Sequence, residues 1–461
     1  MKAHHPARPG HPVVAPHPAL PVAGPRRRPH WLTGARVRLY AGGVLLTELL
    51  FVGIYVARVI LHHAGAPEPL AQDFSPVWSA ARLAAHGHAL DAWRFPALFA
   101  VQKLAIPTMN PADGILPWLY PPSMLLFVLP LGWLPYALAA VLWLGATYAL
   151  FAATVRGIAR HALALPCALA FPGAFLTVVG GQTSLLTASL AGLGLLLLLR
   201  RRPIAAGVCL GLLTMKPQLS ILFPLALLCA GQSRALAAWA ATIACVVALS
   251  ALAFGTGTWI AFAHGVHDAY QIVLTGQAKL SRMPTVFAMA TLAGWPAAVA
   301  RVLQLLSAAG AALAVLYTWR ANGSYALRAA TVTCACLLVS PYLYDYDLTW
   351  YGIVIAWYAR HAGEHGWRRF DREWLALMWA MPLGGFLLVP YLSFQLMPIV
   401  TLASLVLLVA RVARERRDAP VLPDAGDDPD EIDFTRPFRT RRRAVPAPRR
   451  DEHPLPRGHH H

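Results

Sequence analysis

Long apolar runs set the first constraint on this chain. Stretches such as 37–61, 185–199 and 297–319 hold few or no charges over lengths that approach or reach the thickness of a bilayer. Inside lipid every backbone polar group must be bonded within the protein, which leaves helices or a closed barrel. A barrel would need short alternating segments, and these are absent, so the expected fold is an all-α polytopic membrane protein. Composition agrees: of 461 residues, 57% are hydrophobic and 13% charged, with mean hydropathy +0.51, unlike any ordinary soluble domain. The net charge of +18 sits mainly in the tails and between the apolar runs. Basic loops face the cytoplasm, so this charge is read as topology, and nucleic acid is not expected as a partner. The six cysteines lie in apolar segments without zinc-site spacing and read as small buried residues. No disulfide framework and no metal site is expected.

Residues 1–35, rich in Pro, His and Arg, are expected to form a disordered cytoplasmic tail. Residues 414–461, Pro-rich and of mixed charge, are expected to form a second, and the closing His459 to His461 are assigned no metal. Residues 1–30 lack an apolar core, so no cleavable signal is expected and the first span would serve for targeting. Between the tails, 36–413 reads as one transmembrane domain of GT-C-like design, for reasons given below. Its first helix, 37–61, leads out to a long outer loop, 62–118, with a helix at 76–86 and an amphipathic surface helix at 90–104. Residues 156–182 carry Pro166, Pro172 and Gly173 and read as a bent segment in the outer leaflet. A full span there would put Arg200, Arg201 and Arg202 outside. Segments 203–214 and 218–231 are each about 20 Å long against a core of about 30 Å. They are therefore expected to meet at Lys216-Pro217, below the outer surface. A second outer loop covers 255–294, and five later spans bring the total to about twelve, with both termini inside.

That topology places the exceptional polar residues together. Asp73, Gln182, Lys216, the His264/His267 loop with Lys279 and Arg282, and the run Tyr344-Asp345-Tyr346-Asp347 all fall at the outer face. Each has an ordinary explanation. Asp73 could cap a helix, Gln182 could satisfy a broken segment's backbone, and Lys216 could snorkel. Asp347 and Tyr346 could be a cap and a belt residue, and the two histidines plain loop residues. Their convergence from five regions favours a shared outward-facing cavity. No nucleophile elbow, Walker loop or His-Glu-x-x-His appears, which argues against a covalent hydrolase, an ATP-driven pump and a zinc enzyme. What remains is a carboxylate able to deprotonate a hydroxyl, cations able to hold a lipid phosphate, and aromatic faces suited to sugars. Activated nucleotides are cytoplasmic, so chemistry outside would draw on a lipid-linked donor.

Asp73 with Ala80-Ala81 and Gly87, Tyr120-Pro121-Pro122, Gly181-Gln182, Gly207 through Lys216-Pro217, and Ser340-Pro341 followed by Tyr346-Asp347-Leu348 run in one order over 37–410. In that order they resemble glycosyltransferase family 87 of the integral-membrane GT-C glycosyltransferases, a group with polyprenyl-phosphomannose-dependent mannosyltransferases. The resemblance implies a GT-C-type fold, a polyprenyl-phosphate sugar as donor, inverting transfer, and Asp73 as base. The acceptor would be a glycolipid or glycan of the cell envelope, at the periplasmic face of a bacterial inner membrane. No cofactor beyond the lipid-linked donor is expected. Lys216, Arg282 and Gln182 are the candidates for the donor phosphate, and Tyr120, Tyr346, Asp347, Asp345, His264 and His267 for the rest of the substrates. Trp93 stands where the family commonly has Tyr, Ser184 where Asn is frequent, and Asp345 is an additional acid. A transporter or lipid flippase with an outward-facing cavity is the alternative, and a non-catalytic envelope subunit a third.

Overall fold

The computed structural model describes residues 30–61, 71–110, 116–274, 279–321 and 323–418. The two expected tails lie almost wholly outside these residues. Among the described residues the protein is helical throughout, with no strand.

α1 (Gly34–Leu61) is the first long apolar helix. The chain returns in a 3₁₀ turn at Gln72–Phe74, followed by α2 (Ser75–Ala85), a second 3₁₀ turn at Ala89–Trp93 and α3 (Phe95–Ala105). Pro76 and Pro96 open the two helices, where a missing N–H costs nothing. The expected surface helix at 90–104 runs as two pieces, parted at Arg94, whose backbone is extended (φ −99°, ψ 104°). Ser75 through Ala81 of α2 are all buried, whereas α3 buries only Leu98 and Gln102.

α4 (Pro122–Val128) continues as a 3₁₀ turn to Trp133, and α5 (Tyr136–Ala159) is a long helix. The bent segment follows as α6 (Ala164–Leu169) and α7 (Pro172–Gly180), broken at Pro172. α8 (Ser184–Leu199) leads to α9 (Pro203–Gly211), whose 3₁₀ extension ends at Met215. A further 3₁₀ turn at Pro217–Leu219 leads into α10 (Phe223–Cys229), so the two short arms do part at Lys216-Pro217. α11 (Ser233–Phe254) ends at Gly255, and α12 (Gly257–Leu274) begins almost at once. After the 3₁₀ turn Leu280–Arg282 come α13 (Val286–Leu292), α14 (Ala297–Arg320) and α15 (Tyr325–Cys336). A 3₁₀ turn at Asp345–Thr349 starts α16 (Trp350–His365), and α17 (Asp371–Leu392) and α18 (Met397–Asp418) close the fold. The expected second outer loop, 255–294, is thus largely α12 and α13, and the last helix runs past 413 to Asp418.

The helices sort by burial. α15 is buried at every residue, its Arg328, Thr331 and Thr333 included, and α8 at most. Among the described residues six helices are long and apolar enough to cross a membrane: α1, α5, α11, α14, α17 and α18. Their outward faces carry exposed Leu49, Leu252, Leu305 and Leu387, which suit contact with acyl chains. Of the shorter apolar helices, 164–180 stops at buried Gly181, and 203–215 and 217–229 part at buried Lys216. This is a polytopic membrane protein in which long apolar helices with exposed faces accompany shorter, more deeply buried ones.

Candidate active site

Polar side chains meet where the short helices break. Ala71, at φ 61°, donates its N–H to the Val179 carbonyl at 2.8 Å and accepts the Tyr136 hydroxyl at 2.9 Å. These bonds fasten the turn 72–74 to the end of α7. Gly181 caps α7 at φ 79°, and a Cβ there would stand 2.7 Å from the Ala71 Cβ. Glycine is needed on both counts, for the left-handed backbone and for the approach.

Asp73 projects from this turn. Its Oδ2 accepts Gln182 Nε2 at 3.2 Å and lies 3.8 Å from Arg282 Nη1. Gln182 is itself held by the Tyr120 hydroxyl, which donates to Oε1 at 3.1 Å and stands 3.0 Å from Thr183 Oγ1. Arg282 grips Asp345 with both prongs, Nε to Oδ2 at 2.9 Å and Nη2 to Oδ1 at 3.0 Å. Fork-on-fork pairing of this kind fixes orientation as well as charge. The Tyr346 N–H adds a third bond to Asp345 Oδ1 at 2.8 Å. Burial pushes the Asp345 carboxyl above its ordinary value, and the Arg282 bonds work against that shift. The turn that carries Arg282 is tied to the α17–α18 connection by Gln395, whose Nε2 donates to the Ser281 carbonyl at 3.0 Å.

Asp347 lies deeper. Its Oδ1 accepts Lys216 Nζ and Ser184 Oγ at 2.5 Å each, and its Oδ2 accepts the Tyr344 N–H at 3.2 Å. Lys216 also sits 4.9 Å from the centre of the Tyr346 ring. The side chains of Lys216 and Asp347 are 8% and 1% exposed, a closed pair between the α9–α10 break and the α15–α16 connection.

The aromatic surroundings are ordered in two groups. Tyr344 and Tyr346 stack with centroids 5.5 Å apart at 8°, and Tyr342 meets Tyr344 edge-on at 5.4 Å. Trp93, Trp118 and Tyr120 form a second row, with centroids 6.4 and 4.9 Å apart. α12 approaches that row, where a Cβ on Gly265 would be 3.6 Å from the Trp93 ring.

The structure therefore brings together Asp73, Gln182, Tyr120, Arg282, Asp345, Asp347, Lys216 and Tyr346 from separate parts of the chain. His264 and His267 stand apart, exposed on α12, and among the described residues neither bonds to the three aspartates. Ser184 and Tyr342 were not singled out as site residues. Tyr342, Tyr344 and Tyr346 at every second position carried a usable signal, since alternate residues of an extended segment share a side. Ser184 is marked in the sequence only by standing where the family often has Asn, which does not reveal that its hydroxyl meets Asp347.

The three aspartates differ sharply. Asp347 has a buried cation of its own, and Asp345 has both prongs of Arg282. Asp73 has a neutral amide and a distant edge of the same guanidinium, and its side chain is the most exposed, 16% against 6% and 1%. Asp73 is the least engaged of the three: its cation contact is the 3.8 Å approach of Arg282 Nη1, while Nε and Nη2 of that guanidinium bond Asp345. A carboxylate so placed can take a proton from a group brought to it, with a cation near enough to receive negative charge.

Residues 118–341 match the model of glycosyltransferase family 87. No curated protein and no solved structure matches the chain.

Proposed function

The chain belongs over residues 118–341 to glycosyltransferase family 87 and is a membrane glycosyltransferase, and on that premise we propose that it draws its sugar from a polyprenyl phosphate. The sugar, mannose or another hexose or pentose, passes with inversion to a hydroxyl of a cell-envelope glycolipid or glycan at the periplasmic face. Family membership sets aside the transporter and flippase alternative, and the polar cluster serves chemistry instead of passage.

In this reading Asp73 accepts the proton of the acceptor hydroxyl as its oxygen bonds to the anomeric carbon. The bond from that carbon to the phosphate oxygen breaks, and polyprenyl phosphate leaves with the electron pair. Arg282 is the cation placed for that phosphate, since its side chain is 32% exposed whereas Lys216 is closed against Asp347. Lys216 then supports the site through Asp347, and it meets phosphate only if that pair opens. The Tyr342/Tyr344/Tyr346 group and Tyr120 offer faces and hydroxyls to the sugar and acceptor. His264 and His267, on α12, would reach only the outer part of a long acceptor.

The observation that carries the reading is the contrast among the three carboxylates, which leaves Asp73 alone ready to act as base. The donor class is tested with the purified protein in detergent or nanodiscs, offered labelled polyprenyl-phosphate sugars and, in parallel, nucleotide sugars. Transfer with release of polyprenyl phosphate from the lipid donors alone is expected. Turnover from nucleotide sugars with none from lipid donors would overturn the proposed donor.

A further inference from the structure

The inner end of α16 carries a second cluster, far along the helix from the aspartates at its start. His361 and His365 are one helical turn apart, so both imidazoles project from one face, and their rings stack at 4.6 Å. Glu415 of α18 faces them, with its Oε1 3.5 Å from His361 Nδ1. One ligand atom from each of the three residues falls within a span of 4.8 Å.

Two atoms at the centre face each other at 3.5 Å without a hydrogen bond. His361 Nδ1 and Glu415 Oε1 are both buried and neither makes a hydrogen bond. Buried polar atoms are nearly always satisfied, so a facing pair left open requires an explanation. The His361 side chain is 10% exposed, which leaves water little access. The other Glu415 oxygen, Oε2, accepts the Ser324 N–H at 2.8 Å, and this bond turns Oε1 towards the histidines. Nearby arginines already have acids: Arg411 pairs with Asp371, Arg360 with Glu364 at 2.9 Å, and Arg368 with Asp418 at 3.8 Å. Glu415 is the carboxylate of this group left facing the imidazoles.

We propose that His361, His365 and Glu415 form a binding site for a divalent cation of the zinc class, separate from the transfer site. Two imidazoles and a carboxylate are a familiar donor set for such an ion. Bonds of about 2.0–2.1 Å at a tetrahedral angle hold two ligand atoms about 3.3 Å apart, close to the His361–Glu415 separation. His365 is exposed and can turn to complete the set, leaving a fourth position for water. The bound ion would clamp the inner ends of α16 and α18 to the turn before α15. That role is structural or regulatory, since these residues lie away from Asp73.

The test uses the full chain with His459, His460 and His461 changed to alanine, so that the terminal run binds no metal. Zn²⁺ is titrated into this protein and into its His361→Ala, His365→Ala and Glu415→Gln variants, followed by metal analysis after dialysis. Co²⁺ is added in parallel for its visible absorption, which reports nitrogen and oxygen ligation directly. One retained equivalent of Zn²⁺, a Co²⁺ band, and a thermal midpoint raised by Zn²⁺ are expected. Each variant should bind about 10-fold or more weakly and lose the thermal shift. Glu415→Gln keeps size and the Ser324 bond, so it separates lost ligation from lost folding. No retained Zn²⁺ and no Co²⁺ band in the parent protein would overturn the proposal, leaving a His361–Glu415 ion pair. Equal binding by parent and folded variants would also overturn it.

Discussion

Lys216 and Asp347 illustrate how a residue's role depends on its partner. From the chain alone Lys216 was a lone cation awaiting a lipid phosphate. In the structure its ammonium is held by a carboxylate 1% exposed, and an ion pair so enclosed behaves differently from a free charge. Removing one partner of a buried pair strands the other, at a typical cost of about 3–5 kcal/mol. Lys216→Met is therefore expected to lower stability sharply, and Asp347→Asn likewise. The double variant Lys216→Met/Asp347→Asn should recover part of that loss, with coupling of about 0.5–3 kcal/mol in thermal or denaturant unfolding. Strictly additive losses would show that the pair is not the unit holding the α15–α16 connection. The pairing was illegible in the sequence because its members stand 131 positions apart and nothing local links them.

Elements are placed by glycines at two points where the resemblance also falls. A Cβ on Gly207 of α9 would stand 2.2 Å from the Ala235 carbonyl oxygen of α11, so the two helices pack backbone to backbone. Gly207→Ala must push them apart, and an overpacked core typically loses about 1–3 kcal/mol. Gly181→Ala acts elsewhere, displacing the turn that carries Asp73 from the end of α7. We expect Gly207→Ala to lower the thermal midpoint with turnover of the folded fraction retained. Gly181→Ala should lose turnover well beyond its loss of stability. If the two variants lost activity and stability in the same proportion, Gly181 would be a packing residue only. The helix breaks themselves were legible: two arms of about 20 Å cannot each cross about 30 Å of lipid, and Pro172 and Lys216-Pro217 mark where they stop. The helix in the second outer loop was not. Its residues 257–274 mix His, Gly and Asp with apolar ones, and length alone did not separate helix from loop.

For the whole molecule, the proposed topology follows the basic loops, with the aspartates outside and Arg200 to Arg202 inside as the expectation to be tested. Asp347 itself cannot report on sidedness, because a side chain 1% exposed would escape a reagent from either side. His264→Cys, on exposed α12, and Arg201→Cys, beside α8, are better probes in a cysteine-free background. In intact cells a membrane-impermeant maleimide should label position 264, and position 201 only after the membrane is opened. The reverse pattern would invert the topology and move the chemistry to the cytoplasmic side. That Asp73, Gln182, Lys216, Arg282 and the Asp345/Asp347 run would gather was legible because charge at membrane depth is costly. Which charges would pair, and so which carboxylate would be left over, required the fold.

We propose Asp73, the least engaged of the three carboxylates, as the base. Asn is nearly isosteric with Asp and can keep the bond with Gln182 by a flip of its amide, yet it cannot take a proton. The decisive measurement compares sugar transfer from polyprenyl-phosphate donors by purified wild type and Asp73→Asn, with donor binding and thermal midpoint followed on the same samples. Asp73→Asn should fold and bind donor while turnover falls by about 100-fold or more, the usual worth of a general base. Turnover within a few-fold of wild type in a folded Asp73→Asn protein would contradict the account.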